Sequence, residues 1–407
     1  MRCRICHNNS LEGFLSLGAT PLANQFLDLD EIDKKEQTFP LSLSFCSVCG
    51  LVQLEHVVSP SLMFAEYPYV SSTTDTFRDH FSQMAEEVTN VCGVGPNSLV
   101  VDIGSNDGIL LKPFQKLGMR VIGVEPAANI AALARRDGIE TVNDFFDKRV
   151  VEKIVKTAGQ ARIVTATNVF THVDDIFGFV DSVKALLQKD GAFVLEVYYL
   201  LSILENMSFD MIYHEHLSYF TATTLNAFFQ RAGMKIFRLE KVPTHGGSLR
   251  VYVEFPDGPF QTHSSVEESL SSEEKKGASD IHTYRAFAAS VMNMKSGLVE
   301  FIDNARASGR RIVGYGAPAK ATTLLCFCNI GIDKIPYIVD ENPLKQGKYL
   351  PGVHIPILAP ERLDQDTPDY ILILAWNFVD EIMRKIRPHR ARGTKFLVPI
   401  PRLKEVS

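Results

Sequence analysis

The sequence predicts an α/β fold arranged as three unequal domains, and three observations support that prediction. The chain has 407 residues, and at about 150 residues per domain this length favours two or three domains. Four of the seven cysteines lie within the first 49 residues. Strand-like and helix-like segments then alternate in two regions, which a stretch rich in serine, glutamate and lysine (264–276) separates. We therefore expect a small cysteine-bearing domain followed by two α/β domains.

Two C-x2-C pairs mark the N-terminal domain, which we expect to span residues 1–68. Cys3 with Cys6, and Cys46 with Cys49, can present four thiolates to one tetrahedral zinc ion. Four thiolates leave no open coordination position, so the expected zinc is structural rather than catalytic. Such an ion explains how about 65 residues with a modest core can fold. The alternative interpretation is a set of reduced core cysteines.

Hydrophobic periodicity predicts the elements of the central domain, which we expect to span residues 69–257. A helical pattern over 75–91 precedes the first strand, and strands and helices then alternate in short units. Such alternation predicts a mostly parallel sheet with helices on both faces. The predicted strands are 98–103, 120–124, 162–166, 192–198, 235–239 and 249–254, and the predicted helices are 108–117 and 127–135.

The C-terminal domain, expected over residues 258–407, repeats the alternation of helix and strand. A long amphipathic helix is predicted to end near Asn304, and strand-like runs follow at 311–316 and 370–374. These elements predict a second Rossmann-like α/β domain.

Composition and charge exclude several classes of protein. Hydrophobic residues make up 45% of the chain and charged residues 22%, as in soluble globular proteins. The net charge of −6 argues against a protein that binds nucleic acid. No apolar run approaches the roughly 20 residues that span a bilayer, and the N-terminus lacks the apolar region of a secretory signal. We therefore expect a cytoplasmic protein without membrane contacts. The sequence leaves its oligomeric state open, as a monomer or a weak homo-oligomer.

A glycine-bearing turn follows the first strand of the central domain. Gly104 and Gly108 let the backbone approach a ligand there. Their spacing, with Asn106 between them, differs from the G-x-G-x-x-G of dinucleotide sites. Glu125, about 20 residues further on, can accept both hydroxyls of a ribose. Together with Asp102, these residues resemble the S-adenosylmethionine site of Rossmann-like class I methyltransferases, whose first motif is acidic-x-Gly-x-x-x-Gly.

The same resemblance assigns further cofactor contacts. Asp144 and Phe145, after the third strand, would contact the adenine. Asn168, after the fourth strand, would face the methionine part of the cofactor. The alternative for Phe145 is an ordinary core aromatic.

Tyr213-His214-Glu215-His216 places four ionisable groups in a row. Burying all four would be costly, so we expect them to line a polar cavity. An extended run would put Tyr213 and Glu215 on one face, whereas a helical turn would pair Tyr213 with His216. His172 is expected past the end of a sheet strand, where α/β folds bind their ligands. A histidine beside a phenol and a carboxylate suits general acid–base chemistry near neutral pH.

Several motifs follow one another along the whole chain. They are the two C-x2-C pairs, Tyr67-Pro68-Tyr69-Val70-Ser71-Ser72, Gly104-Ser105-Asn106-Asp107-Gly108, Tyr213-His214-Glu215-His216, His245-Gly246-Gly247-Ser248 and Gly314-Tyr315-Gly316-Ala317-Pro318-Ala319-Lys320. This order resembles the sugar 3-C-methyltransferases, which act on nucleotide-linked 4-keto deoxysugars. The resemblance implies a zinc-binding domain, a central methyltransferase domain, and a C-terminal Rossmann-like domain that helps to hold the sugar nucleotide.

The resemblance also implies how the reaction runs. A ketone at carbon 4 makes the proton on carbon 3 removable if the enolate oxygen is stabilised, and the carbanion then attacks the methyl group. We expect His216 to be the base and Tyr213 and His172 to be hydrogen-bond donors to the enolate or to sugar hydroxyls. Glu215 would orient His216 or bind a sugar hydroxyl, and Tyr69 would close over the cofactor. The sequence leaves the base open between His216 and Tyr213.

The C-terminal domain offers candidates for binding the nucleotide. Gly314, Gly316 and Lys320 suggest a helix N-terminus and a cation for a diphosphate. The alternative is an ordinary strand-turn-helix junction with a solvated lysine. The other candidate substrate-binding residues are His245, Trp376 and Asn377.

Two other classes of protein compete with the methyltransferase interpretation. One is an NAD-dependent oxidoreductase or epimerase of nucleotide sugars with its cofactor at Gly316, but Ala319 stands where the third glycine of the fingerprint belongs. The other is a non-catalytic zinc-dependent binding protein. The acidic net charge disfavours nucleic acid as the ligand of such a protein.

Overall fold

Three β-sheets organise the part of the chain that the computed structural model describes, residues 1–64 and 70–406. The strands are β1 (Leu11–Thr20), β2 (Phe39–Cys46), β3 (Val52–Leu54), β4 (Leu99–Ile103), β5 (Arg120–Val124), β6 (Thr141–Val142), β7 (Ala161–Thr167), β8 (Leu187–Tyr198), β9 (Ser218–Tyr219), β10 (Lys235–Val242), β11 (Ser248–Glu254), β12 (Ile312–Tyr315), β13 (Ile338–Val339), β14 (Ile357–Leu358), β15 (Tyr370–Ile373), β16 (Lys395–Val398) and β17 (Lys404–Val406). The α-helices are α1 (Pro60–Phe64), α2 (Asp75–Cys92), α3 (Leu111–Lys116), α4 (Ala128–Arg136), α5 (Lys148–Ala158), α6 (Ile176–Leu186), α7 (Leu200–Glu205), α8 (Ala222–Arg231), α9 (Ser265–Lys275), α10 (Ile281–Ala307), α11 (Ala319–Cys328), α12 (Arg362–Gln365) and α13 (Val379–Arg390).

The central sheet has seven strands in the order β10-β11-β8-β7-β4-β5-β6. Its neighbouring pairs are parallel except that β11 runs antiparallel to both β8 and β10. All five residues of β4 are buried, as expected of a strand covered by helices on both faces. The Rossmann-like methyltransferase fold expected for this region is confirmed.

The N-terminal sheet is antiparallel and includes a strand from the middle of the chain. Its order is β1-β2-β3-β9, and β9 pairs through Tyr219 with Val52 and through Ser218 with Gln53. Because β9 begins two residues after His216, the polar motif is joined directly to the N-terminal sheet. Nothing in the sequence pattern predicted this pairing.

The C-terminal sheet has six strands in the order β14-β13-β12-β15-β16-β17, parallel except for the last pair. The predicted long helix is α10, whose buried residues include Tyr284, Val291, Leu298 and Ile302. These belong to the same hydrophobic cluster as Leu43 of the N-terminal sheet, so the helix joins the first and last sheets.

The predicted helix 108–117 begins later, at Leu111. The reason is local, because Asn106 and Gly108 have φ of +48° and +80°, which an α-helix excludes. Cys326 and Cys328 lie in α11 and are free thiols. Across the described ranges we find no helix long and apolar enough to cross a membrane.

Candidate active site and zinc centre

The four N-terminal cysteines converge on one point. Their Sγ atoms all lie within 4.8 Å of one another, with Cys3 at 3.4 Å from Cys49 and Cys6 at 3.5 Å from Cys46. A tetrahedral zinc ion with Zn–S bonds of about 2.3 Å holds its sulfur atoms roughly 3.8 Å apart. The four-thiolate donor set and its spacing therefore fit structural zinc.

A cavity of about 820 Å³ lies where the three sheets meet, at the carboxyl ends of β4, β5 and β7. Ligands bind at this edge in open α/β sheets. The predicted site residues that line it are Asp102, Gly104, Asn106, Glu125, Phe145, Asn168, His172, Tyr213, His216, His245, Lys320 and Asn377. The predicted residues outside its lining are Gly108, Asp144, Glu215, Gly316 and Trp376. Tyr69 lies outside the described residues.

The turn after β4 is held tightly against its neighbours. Gly104 has φ of +66°, and its N–H donates to the carbonyl of Val124 at 2.8 Å. A Cβ atom at this position would lie 2.3 Å from Cγ2 of Val169. Gly108 likewise has φ of +80°, and a Cβ there would lie 2.9 Å from Ile139. The role of Gly108 is therefore to let the turn pack closely against Ile139.

Glu125 is the acidic residue of this turn. Its Oε2 accepts the N–H of Asn106 at 3.0 Å, and its Oε1 accepts the N–H of Ala127 at 2.9 Å. Burial raises the pKa of this carboxyl. Two backbone donors hold the carboxylate in place while each oxygen keeps a further lone pair, which suits a ribose diol.

Other groups at the turn also fit S-adenosylmethionine. Burial raises the pKa of Asp102 to about 7, and its Oδ1 accepts the Thr165 hydroxyl at 2.6 Å. Asn168 Oδ1 is buried and has no hydrogen-bond partner among the described residues, as expected of a group that awaits a ligand. Phe145 is 42% exposed, which disfavours the core-aromatic alternative. Asp144 accepts the N–H of Phe145 at 2.8 Å.

Replacing Gly104 by alanine is expected to weaken S-adenosylmethionine binding by about 100-fold, because strain at positive φ and the clash with Val169 together cost about 3 kcal/mol. Titration calorimetry with the cofactor measures the effect. Gly138→Ala is the matched control, since Gly138 has a similar φ of +83° but nothing within 4 Å of its Cβ position. Wild-type affinity in Gly104→Ala would contradict the predicted cofactor site.

Two stacked histidines lie beside the cofactor turn. The ring centres of His172 and His216 are 5.3 Å apart, with 14° between the ring planes, and Phe64 also stacks with His172 at 5.5 Å. His216 Nδ1 donates to the carbonyl of Met211 at 2.6 Å, which leaves the lone pair of a neutral imidazole on Nε2. Nε2 is buried and meets no partner within the described parts of the chain. His216 is therefore arranged as a proton acceptor.

Burial keeps both imidazoles neutral. It lowers the pKa of His172 to about 4. It holds the pKa of His216 well below 6.5, and the neighbouring His172 lowers it further. Both rings are therefore uncharged near neutral pH.

The polar motif itself forms a turn. The N–H of His216 donates to the carbonyl of Tyr213 at 2.9 Å, and their rings are 3.9 Å apart, as the helical alternative predicted. The expectation that all four groups line a cavity is wrong for two of them. His214 turns to the carbonyl of Phe39 at 3.2 Å, and Glu215 accepts from the amide of Asn24 at 2.7 Å. Contacts with the N-terminal domain replace the solvent that these groups lose on burial.

Lys320 lines the cavity from the C-terminal domain. Its Nζ is 3.6 Å from the centre of the Trp376 ring, and it donates to Asn377. The alternative of a solvated lysine is wrong, because only 5% of the residue is exposed. Burial lowers its pKa to about 7, although Asp210 opposes the shift. The indole N–H of Trp376 donates to Asp210 at 2.7 Å, and this bond fixes the ring against which Lys320 packs.

Several residues of the site were not identified from the sequence. Tyr198 packs on His216 with ring centres 4.3 Å apart, and Asp210 lies fully buried near Lys320. Asn24 and Lys345 reach the cavity from the first and last domains. An acidic residue just before the polar motif was a usable signal for Asp210, whereas Asn24 and Lys345 belong to no local pattern.

Three family models match the chain. One described as “Putative zinc binding domain” matches residues 3–64. One described as “Methyltransferase domain” matches residues 77–239, and one described as “C-methyltransferase C-terminal domain” matches residues 243–401. The three models follow one another along the chain.

Individual proteins also match. The chain is 36% identical to the C-methyltransferase NovU of Streptomyces niveus over 405 residues, covering 100% of this chain and 96% of that protein. It is 31% identical over 105 residues to a ubiquinone biosynthesis O-methyltransferase of Methylobacterium sp. (strain 4-46), covering 25% of this chain and 42% of that protein. Among solved structures, magnesium protoporphyrin IX methyltransferase (ChlM) of Synechocystis PCC 6803 with bound SAM shares 13% identity, with coverages of 44% and 79% and a TM-score of 0.34.

Proposed function

Since this chain belongs to the C-methyltransferase family, it is an S-adenosylmethionine-dependent enzyme, and we propose that it methylates carbon 3 of a nucleotide-linked 4-keto deoxyhexose. One observation carries the proposal. His216 is a buried, neutral imidazole whose unshared Nε2 lone pair lies in the cavity that also contains the cofactor turn. Forming a carbon–carbon bond requires a carbon acid and a base, and this arrangement provides the base.

The proposed reaction starts with proton transfer. His216 Nε2 takes the proton from carbon 3, and the electron pair moves to the oxygen on carbon 4. His172 and Tyr213, which contact His216, are the proposed donors to that oxygen. S-adenosylmethionine supplies a methyl group on positively charged sulfur. Carbon 3 of the enolate would then bond to this methyl group as the carbonyl at carbon 4 reforms and the carbon–sulfur bond breaks, which would release S-adenosylhomocysteine. His216 would return its proton to solvent.

The side of the cavity lined by the C-terminal domain suits the nucleotide. Lys320 and Asn377 reach it from the C-terminal domain, and the Trp376 ring holds the Lys320 ammonium in place. A diphosphate bound beside Lys320 would favour the charged form of this lysine, against the effect of burial, and would accept charge-assisted hydrogen bonds from it. His245 also lines the cavity, with its ring centre 5.1 Å from that of Tyr198, and is proposed to contact the sugar.

Deuterium exchange tests the proposal. The protein, with S-adenosylhomocysteine bound, is incubated in D2O with a panel of nucleoside-diphosphate 4-keto deoxyhexoses, and proton NMR follows carbon 3. With S-adenosylmethionine instead, mass spectrometry measures the gain of one methyl group. We expect both events with at least one member of the panel. Methyl gain at oxygen, or exchange at carbon 5 alone, would contradict the proposal.

The activity of the enzyme, measured as kcat, is expected to be lost only at pH values well below 6.5. Only neutral His216 accepts a proton, and its pKa lies well below 6.5, so activity is retained through pH 6.5 and is lost as pH falls through the lowered pKa. The rate is measured at saturating substrates between about pH 5 and pH 9.

S-adenosylhomocysteine affinity is measured at each pH as a control, because burial also raises the pKa of Glu125. An acidic limb at pH 6.5 or above, with unchanged affinity, would point to a different base.

A further inference from the structure

Arg4 lies inside the first C-x2-C pair, yet its side chain points away from solvent. Only 5% of the side chain is exposed. Its backbone N–H donates to Oε1 of Gln53 at 2.9 Å, and Nε2 of that fully buried glutamine donates back to the carbonyl of Arg2 at 3.2 Å. The cysteine turn and β3 therefore hold the start of the Arg4 side chain in one place.

The guanidinium of Arg4 contacts both segments that carry the stacked histidines. Its Nη1 donates to the carbonyl of Leu217 at 3.1 Å, and Leu217 directly follows His216. Its Nε donates to Oδ1 of Asp174 at 2.8 Å, two residues after His172. A further bond from Nη1 reaches the carbonyl of Leu54 at 3.3 Å.

These segments are also joined to each other at the same place. The N–H of Leu217 donates to the carbonyl of Thr171 at 2.8 Å, and the carbonyl of Leu217 accepts the N–H of Leu54 at 2.9 Å as well as Arg4. One planar cation thus connects the zinc turn to the backbone next to His216 and to the loop after His172. A lysine ammonium is a compact charge and cannot reproduce a fork that spans three acceptors.

We propose that Arg4 is a positioning residue for catalysis, which sets the stacking of His172 and His216 from within the zinc-binding turn. The N-terminal domain then affects the rate of the reaction, because the relative position of the two rings decides where Nε2 of His216 meets the substrate. Small misplacements of a reacting group are costly, about 100-fold for 1 Å. The proposal rests on the proposed role of His216 as base.

The test compares Arg4→Met with Arg285→Met. Arg285 also joins the N-terminal domain to the rest of the chain, through Glu12 at 3.0 Å, but it is 55% exposed and contacts neither histidine segment. We expect Arg4→Met to lower kcat by about 100-fold while zinc content, S-adenosylhomocysteine affinity and KM stay within about threefold. Arg285→Met is expected to leave kcat, zinc content, S-adenosylhomocysteine affinity and KM within about twofold of the wild-type values. A kcat of Arg4→Met within twofold of wild type overturns the proposal.

NMR of the imidazole nitrogens reports on the positions of the two rings. A contact that only stabilised the fold would leave these signals unchanged. In protein labelled with 15N-histidine, Arg4→Met is expected to shift the signals of His172 and His216, while those of the exposed His263 and His282 stay in place. Unmoved His172 and His216 signals would overturn the proposal. Arg4→Lys, which keeps the charge, gives the same readout if the methionine variant does not fold.

His216→Asn is measured alongside to separate the two proposals. If it keeps wild-type exchange at carbon 3, His216 is not the base and the proposed mechanism fails. The imidazole spectra of the Arg4 variants still decide whether Arg4 positions the two rings.

Discussion

Replacing His216 by asparagine is expected to abolish proton exchange at carbon 3 and to lower kcat for methyl transfer by about 1,000-fold, the size of effect that a positioned general base provides. Asparagine keeps an N–H near the Nδ1 position, which can still donate to the Met211 carbonyl, but it removes Nε2. The change therefore deletes the proton acceptor and preserves the bond that orients it. NMR in D2O and the rate of S-adenosylhomocysteine formation measure the two losses.

The neighbouring buried histidine is the matched control. His214 bonds to the carbonyl of Phe39 and lies outside the cavity lining, so His214→Asn is expected to change kcat by less than about tenfold. Tyr213→Phe distinguishes the second candidate base, because it should retain exchange if Tyr213 only donates a hydrogen bond. Wild-type exchange in His216→Asn together with none in Tyr213→Phe would reverse the assignment.

Replacing Cys46 by serine is expected to remove the zinc ion and to inactivate the enzyme. Cys46 is fully buried at the end of β2, and a neutral hydroxyl there cannot replace a thiolate ligand. Metal binding and folding are coupled in small zinc domains, so residues 1–60 should become sensitive to proteases. Because β3 pairs with β9 and Arg4 contacts Leu217, the loss should spread to the catalytic turn. Mass spectrometry of bound metal and limited proteolysis measure the outcome.

Cys92→Ala serves as the control for losing a buried cysteine. Cys92 lies in α2, in a different hydrophobic cluster from the four clustered thiols, and its replacement should leave the zinc content unchanged. An active Cys46→Ser protein that contains no zinc would show that the N-terminal domain holds the catalytic turn without the ion.

Local pattern predicted much of the fold. The strand at Arg120–Val124 was predicted residue for residue, and α2 differs from its prediction by one residue. Such elements can be predicted because a run of apolar residues of strand length, bounded by glycine, is recognisable from a few neighbouring residues alone. The short strands β6, β13 and β14 were not predicted, because two residues have no detectable period and pair only when a sheet is already present.

The sequence by itself determined which chemical groups the protein has. Four cysteines in two C-x2-C pairs specify a zinc site, and Gly104 with Glu125 specifies a cofactor turn, because the spacing that makes each site lies within a short segment or at the ends of adjacent strands.

The tertiary structure alone decided how those groups are used. It pairs β9 with β3, buries Lys320 against Trp376, and sets the tautomer of His216 through a backbone carbonyl. The physical reason is that burial and hydrogen-bond partners decide the protonation state of a histidine or lysine, and these partners come from distant parts of the chain. Arg4 illustrates this dependence, since its contact with Leu217 joins residues that are 213 positions apart.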